Sequence, residues 1–192
     1  MKKSILVLTL IIFVFGAANA QFTKVGGGIA LSSGFPFHQM DYPENRSGII
    51  AVSFKGIYEI SVPLHISPSF TFFYPNITKF QVEKVKVSSM MFDINGHYVF
   101  NSLDKYEFYG IAGLDILLAK KKNDYESSVD YTESDNALGL NLGVGTYLKI
   151  TETMDIYGEA KYVFNNKYNQ FMLNVGLLLN IDWMKKNENS EL

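Results

Sequence analysis

Hydrophobic and polar residues alternate with a period of two along most of this chain, and the pattern is longest near its end. From Gln170 to Trp183, Phe171, Leu173, Val175, Leu177, Leu179, Ile181 and Trp183 fall on one side. Gln170, Met172, Asn174, Gly176, Leu178, Asn180 and Asp182 fall on the other. Strand side chains alternate between faces, so this segment has one wholly apolar face ending in an aromatic and one mostly polar or small face. Strands of soluble domains usually run to about five or six residues. An alternation of about fourteen is long enough to cross a bilayer when tilted.

Seven further segments repeat the theme. Phe22 to Ser33 sets Val25, Ile29 and Leu31 against Gly26, Gly28, Ala30 and Ser32; Gly48 to Glu59 sets Ile50, Val52, Phe54 and Tyr58 against Ala51, Ser53, Lys55 and Glu59. Leu64 to Tyr74 carries Pro63 and Pro68 at and near its start, which predicts an irregular pairing there because proline lacks a ladder donor. Lys86 to Phe100, Phe108 to Ala119, Ala137 to Lys149 and Met154 to Phe164 complete the set. Except for Lys86, the first residue of its segment, no charged residue falls on the apolar face in any of the eight. An Arg or Lys facing lipid costs roughly 2–4 kcal/mol at the bilayer midplane, so a membrane barrel requires that exclusion. A sandwich core would exclude charge as well. The opposite face separates the two, because it is rich in Gly, Ala, Ser and Asn with sparse charges of both signs, as a narrow closed interior demands. The expected fold is therefore an all-β, eight-stranded antiparallel up-and-down transmembrane β-barrel. A soluble lipocalin-type barrel is the alternative, and it would turn the apolar face inward.

The connections give an orientation. Long loops are expected over 35–47, 75–85 and 120–136, and short links after the second, fourth and sixth strands. Long loops outside and short periplasmic turns are the rule for outer-membrane barrels. Aromatics gather at strand ends and predict two girdles. Phe72, Phe73, Tyr74, Phe164, Tyr168 and Phe171 would form the outer one, and Tyr58, Tyr98, Phe100, Phe108, Tyr147 and Trp183 the periplasmic one.

The N-terminus adds an address. Met1-Lys2-Lys3 is a basic start, Ile5 to Phe15 is almost continuously apolar, and Ala18-Asn19-Ala20 is a small-x-small cleavage motif. This is the form of a secretory signal peptide. The expected organisation is a signal peptide over 1–20, a barrel over 21–183 and a polar tail over 184–192. There is no cysteine among the 192 residues, which excludes disulfides, thiolate metal sites and a lipid-modified cysteine. Without Lys2 and Lys3 the formal charge falls from −2 to about −4, with no basic stripe of the kind that binds nucleic acid.

The signal peptide, the glycine-rich Val25-Gly26-Gly27-Gly28, the Tyr109-Gly110-Ile111-Ala112-Gly113-Leu114 segment and the final strand ending in Trp183 resemble the small eight-stranded outer-membrane barrels of the OmpA/OmpX type, also catalogued as outer-membrane protein β-barrel domains or porin-family proteins. The resemblance spans the chain after the signal peptide and implies a Gram-negative outer-membrane location, contact with outer-membrane lipid and assembly by the barrel-assembly machinery. Met184 to Leu192 follow the aromatic that many such barrels end on, so the assembly signal would be internal.

Candidate chemistry is sparse. Lys55, Glu59, Asp93, His97, Asp115, Asn141, Asp155, Glu159, Lys161 and Asn174 fall on inward faces and are expected to form a polar network inside the barrel. Within it, Glu159 and Lys161 are expected to compensate each other. Eight strands leave an interior just wide enough for side chains. His65-Ile66-Ser67 is a His-x-Ser pair of the sort an envelope lipid hydrolase could use, but it lacks a neighbouring acid to orient the base. His38, His65 and His97 are too scattered for metal-ligand spacing, and no cofactor is expected. The leading expectation is a structural or surface-interaction barrel that meets an extracellular ligand through its loops. A lipid-modifying hydrolase and a narrow solute channel are the alternatives.

Overall fold

The computed structural model of the chain describes residues 22–36, 46–79, 83–125 and 131–181. Eight long strands close on themselves: β1 (Phe22–Ser32), β4 (Ile50–Ser61), β5 (Leu64–Lys79), β6 (Glu83–Ser102), β7 (Tyr106–Tyr125), β8 (Tyr131–Lys149), β9 (Met154–Asn165) and β10 (Gln170–Asn180). Two short strands, β2 (Phe35–Pro36) and β3 (Arg46–Ser47), pair with each other in the connection between β1 and β4. All ladders are antiparallel and follow the chain order around the barrel, and β1 meets β10 to complete the circle. Closure leaves no strand edge, so every backbone group at membrane depth has a partner within the sheet.

The faces fall as the alternation predicts. Val52, Phe54, Ile94, Leu114, Leu140, Leu142, Val175 and Leu177 are exposed on the outside, while Ser53, Lys55, Asp93, Asp115, Asn141 and Asn174 are buried inside. An apolar exterior around a polar interior is the inverse of a lipocalin. Pro68 faces outward, and the β4–β5 register slips between Glu59 and Ser61, beside the proline-bearing turn.

Three expectations change. The segments 75–85 and 120–136 are largely strand rather than loop. β5 and β6 continue in register to Lys79↔Lys84, and β7 and β8 to Asn123↔Tyr131. Lys121 faces Glu133 across the second hairpin, an opposite-charge pair of the kind that favours pairing. Secondly, the last strand ends at Asn180, and Ile181 already leaves it; Trp183 and the tail lie outside the described residues, as do His38 and the signal segment. Thirdly, the girdles are thinner than expected. Phe72, Tyr74, Phe164 and Phe171 are exposed near one rim, and Tyr98, Phe100 and Phe108 near the other, but Phe73, Tyr147 and Tyr168 are buried inside. Position near a strand end does not decide which face an aromatic takes; its parity does.

The barrel is lopsided. β5 to β8 run 16, 20, 20 and 19 residues, against 11 or 12 for β9, β10, β1 and β4. The surplus stands on the side of the long connections, so four strands project as a sheet above the shorter wall.

Candidate functional site

The interior is layered. At the end with the short turns, Lys24 Nζ lies 2.8 Å from Asp155 Oδ2, and Lys24 also sits over the Tyr147 ring. Above this mouth comes an aromatic layer of Tyr109, Tyr147 and Tyr157 with Ile57, Ile111 and Leu178. The Tyr109 and Tyr147 rings stack at 4.3 Å between centroids, and His97 stacks on Tyr109 at 4.5 Å. Small residues opposite make the room. A Cβ at Gly145 would lie 2.4 Å from the Tyr109 ring, and Cβ atoms at Gly28 and Gly176 would lie 2.7 and 2.6 Å from Tyr157. Gly28 of the first strand, with Gly176 opposite it, thus leaves the space into which Tyr157 fits.

A belt of charge crosses the middle. Lys55 on β4 donates to Glu159 on β9, and the Tyr109 hydroxyl donates to the same carboxylate at 2.9 Å. Lys161 on β9 donates to Asp93 on β6 at 2.9 Å. Ser69 donates to that carboxylate at 2.9 Å, and Asn141 donates to its other oxygen at 2.7 Å and to Asn95 at 2.9 Å. His97 Nδ1 and the Tyr147 hydroxyl are 2.8 Å apart, and Ser53 and Tyr157 hydroxyls 3.2 Å. The two lysines of the belt thereby each meet a carboxylate, as buried charges require.

These partners differ from those expected on sequence spacing. Glu159 pairs with Lys55 and not with Lys161, whose partner is Asp93; Glu59 is not in the interior network but exposed opposite His65 near the turn. Residues two apart on one strand point the same way in parallel, whereas long side chains from non-adjacent strands converge across the narrow interior. Asp115 and Asn174 are buried, but among the described residues Asp115 makes no hydrogen bond through either oxygen and Asn174 none through its Oδ1. Lys24, Ser53, Ser69, Asn95 and the three tyrosines join the belt and its flanks. Inward parity alone could have nominated them.

A second apolar layer closes the other side of the belt. Phe73, Met91, Leu117, Val163 and Met172 line it, and Val85, Val87 and Ala119 extend it up the projecting sheet. Phe35 and Tyr168 fold in from the connections and are fully buried; their rings lie 5.0 Å apart, with Phe35 edge-on to Phe73 at 6.4 Å. Gly48, at φ +76°, turns the chain beside Phe35, whose ring would be 2.6 Å from a Cβ there. At the rim Asp135 accepts from both Lys167 and Tyr168. The hydrogen bond from Lys167, then that from Tyr168, holds the Asp135 carboxyl below the usual carboxylate range.

The His-x-Ser pair does not form a dyad. His65 and Ser67 are both buried on β5, and neither His65 Nδ1 nor Ser67 Oγ has a hydrogen-bond partner among the described residues. No group of three or more His, Asp or Glu side chains is placed to hold a metal ion among the described residues.

A closed antiparallel barrel with an apolar exterior at bilayer-spanning length and a paired ionic interior defines a transmembrane β-barrel. The sequence matches the Outer membrane protein beta-barrel domain family over residues 5–180, and the chain belongs to that family. Its fold is similar to Ail, the attachment invasion locus protein of Yersinia pestis (14% identity, TM-score 0.58, 83% of this chain and 97% of that one). It is also similar to the N-terminal β-barrel domain of Pseudomonas aeruginosa OprF (12%, 0.54, 83% and 98%) and to a major outer membrane protein of Thermus thermophilus (12%, 0.55, 81% and 98%). At these identities the likeness concerns the fold. No curated protein matches the chain significantly.

Proposed function

We propose that this outer-membrane barrel is a rigid, non-conducting scaffold whose work is done at the cell surface by the sheet that β5 to β8 raise above the membrane. The observation that carries this reading is the interior itself: a belt of ion pairs between non-adjacent strands lies between two apolar layers, and the outer layer is sealed by Phe35 and Tyr168. Binding residues are disproportionately found on segments held by a rigid frame. The projecting hairpins add nothing to the lipid belt, so their length is best explained by contact with something outside. The same reading has residues 1–20 removed on export, the chain inserted by the barrel-assembly machinery, and its exterior solvated by outer-membrane lipid.

Planar-bilayer recording tests the closed interior. The folded chain is expected to give no ion-conducting steps, and steps from the unaltered chain would overturn the scaffold in favour of a channel. Shortening the β7–β8 hairpin above Ala119 and Ala137 tests the extension. The variant is expected to keep heat-modifiable gel mobility; loss of folding would make the extension a stability element instead.

A further inference from the structure

The outer face of the projecting sheet carries a ladder of lysines. In register, Lys79 on β5 stands opposite Lys84 on β6, and Lys86 on β6 stands opposite Lys122 on β7. Lys120 lies two residues below Lys122 on the same face, opposite Ser88. All five are exposed. Like charges directly opposite each other on neighbouring strands repel, and here two such pairs stack one above the other. Asp124, opposite Lys84, is the one acid whose register puts it on this face of the described strands; Glu133 and Asp135 have the parity of the inner face.

The height of the ladder identifies what it meets. Leu118 and Met90 are paired in register on the outer face, and below them the exterior of β6 and β7 is apolar down to Phe100 and Phe108. That stretch of eleven residues spans about 25 Å once tilted, the whole apolar band of such a barrel. Each further pair of residues adds about 5 Å of height. Lys120 therefore sits about 5 Å above the hydrocarbon edge, Lys86 and Lys122 about 10 Å, and Lys79 and Lys84 about 15 Å. At the foot of the ladder, the small Ser88 opposite Lys120 opens a surface groove whose lower wall is Phe72, Met90 and Leu118. Lysine stems can lie on the apolar rim while their ammonium groups reach upward.

We propose that this face is a docking site for an outer-leaflet lipid with a phosphate-bearing headgroup. An acyl chain runs down the groove from Ser88 past Met90 and Leu118, and the phosphate oxygens accept hydrogen bonds from Lys120 and Lys86, with Lys122 level with Lys86 and Lys84 and Lys79 above. A lipid fits better than a soluble polyanion because the ladder is continuous with the lipid-facing surface and begins at headgroup height. The proposal rests on the membrane-barrel reading of the chain. The short side has no counterpart, since Ile50, Phe164, Phe171 and Leu31 occupy its exposed upper rim.

Binding to the full folded chain in neutral detergent tests the site, with dioctanoyl phosphatidic acid, dioctanoyl phosphatidylcholine, inorganic phosphate and heparin as probes. Phosphatidic acid is expected to bind at least about tenfold more tightly than phosphatidylcholine, at roughly one lysine contribution or more. The triple variant Lys84→Gln, Lys86→Gln, Lys120→Gln is expected to bind phosphatidic acid about 100-fold more weakly. Lys105→Gln at the opposite end is expected to leave it unchanged. Ser88→Trp, which fills the groove, is expected to weaken phosphatidic acid while leaving inorganic phosphate binding as it was. Equal affinity in the triple variant, or no selectivity between the two lipids, would overturn the site. Heparin binding more tightly than phosphatidic acid with the same lysine dependence would overturn the lipid in favour of a soluble polyanion. The unaltered chain supplies a readout free of any folding defect, because its phosphatidic acid affinity should fall steeply with salt; a flat response would overturn the ionic contact. Heat-modifiable mobility of the same sample reports the barrel separately, so a failed barrel and a failed site give different results.

Discussion

The two sides of this barrel share a membrane belt and differ in what stands above it. On the short side, β9, β10, β1 and β4 stop near the rim, and apolar side chains occupy its outer face. On the long side, the same alternation continues upward, but its outer face changes from Leu118 and Met90 to lysine. The backbone ladder is indifferent to the change. What sets strand length here is pairing, and what sets membrane depth is the point where outward residues cease to be apolar. The inner face of the extension shows what keeps it upright: Val85, Val87 and Ala119 are covered by the cluster that includes Phe35 and Tyr168.

The strongest test of this contrast is all-or-none. A single cysteine at Lys122 is expected to react with an impermeant maleimide in intact cells, while one at Lys105, in the turn between β6 and β7, reacts only after the envelope is opened. Reversed labelling would invert the barrel.

Next in size is the interior pair that belongs to the short wall. Lys55→Met leaves Glu159 with the Tyr109 hydroxyl but no cation at hydrogen-bond distance, and breaking one partner of a buried pair costs about 3–5 kcal/mol. Adding Glu159→Gln is expected to recover much of the loss. Urea unfolding from detergent measures both, and two additive losses would show that the charges do not interact.

The belt that both sides share is expected to respond equally. Leu142→Arg on β8 and Val175→Arg on β10 each place a cation among exposed apolar side chains near mid-strand. Each is expected to destabilise by roughly 2–4 kcal/mol in bilayer folding titrations. A harmless result on one side alone would mean that wall does not face lipid.

The smallest effect lies where the walls meet at the rim. Asp135 of the long side accepts from Lys167 and Tyr168 of the short side, and its carboxyl titrates below the ordinary range. A depressed folded-state value stabilises the fold above the unfolded carboxylate pKa, and that contribution disappears as pH falls through the folded value. Asp135→Asn is therefore expected to remove at most about 1 kcal/mol near neutrality, and nothing once the acid is protonated. Stability of the two chains against pH should converge at the acid end.

The alternation of single strands was enough to place the lipid face, because parity is a local property of sequence. It was enough for Leu142 and Asn141, which fall on opposite sides as their neighbours demand. It was not enough for the extension, since above the membrane the outer face turns polar: on β6 the alternation inverts, with Val85 and Val87 inside and Lys84 and Lys86 outside, and it lapses at Asn76 and Lys121. Nor could parity choose partners. Lys55 and Glu159 lie 104 positions apart, and they meet only because closure brings β4 and β9 to face one another. Phe35 gave no distinguishing signal, being one of three aromatics, with Phe37 and Tyr42, in that connection.

The join between β1 and β10 bears on the order of assembly. Its register, from Lys24↔Asn180 to Ser32↔Met172, links the two ends of the described chain, and pairings so distant in sequence are the slowest to find each other. Gly28 stands directly opposite Gly176 in that join, so the last two strands can meet there without side chains having to mesh. Tyr157, already presented by the neighbouring hairpin, then fills the gap from within. The final step of closure becomes the docking of bare backbone onto a ring that is waiting for it.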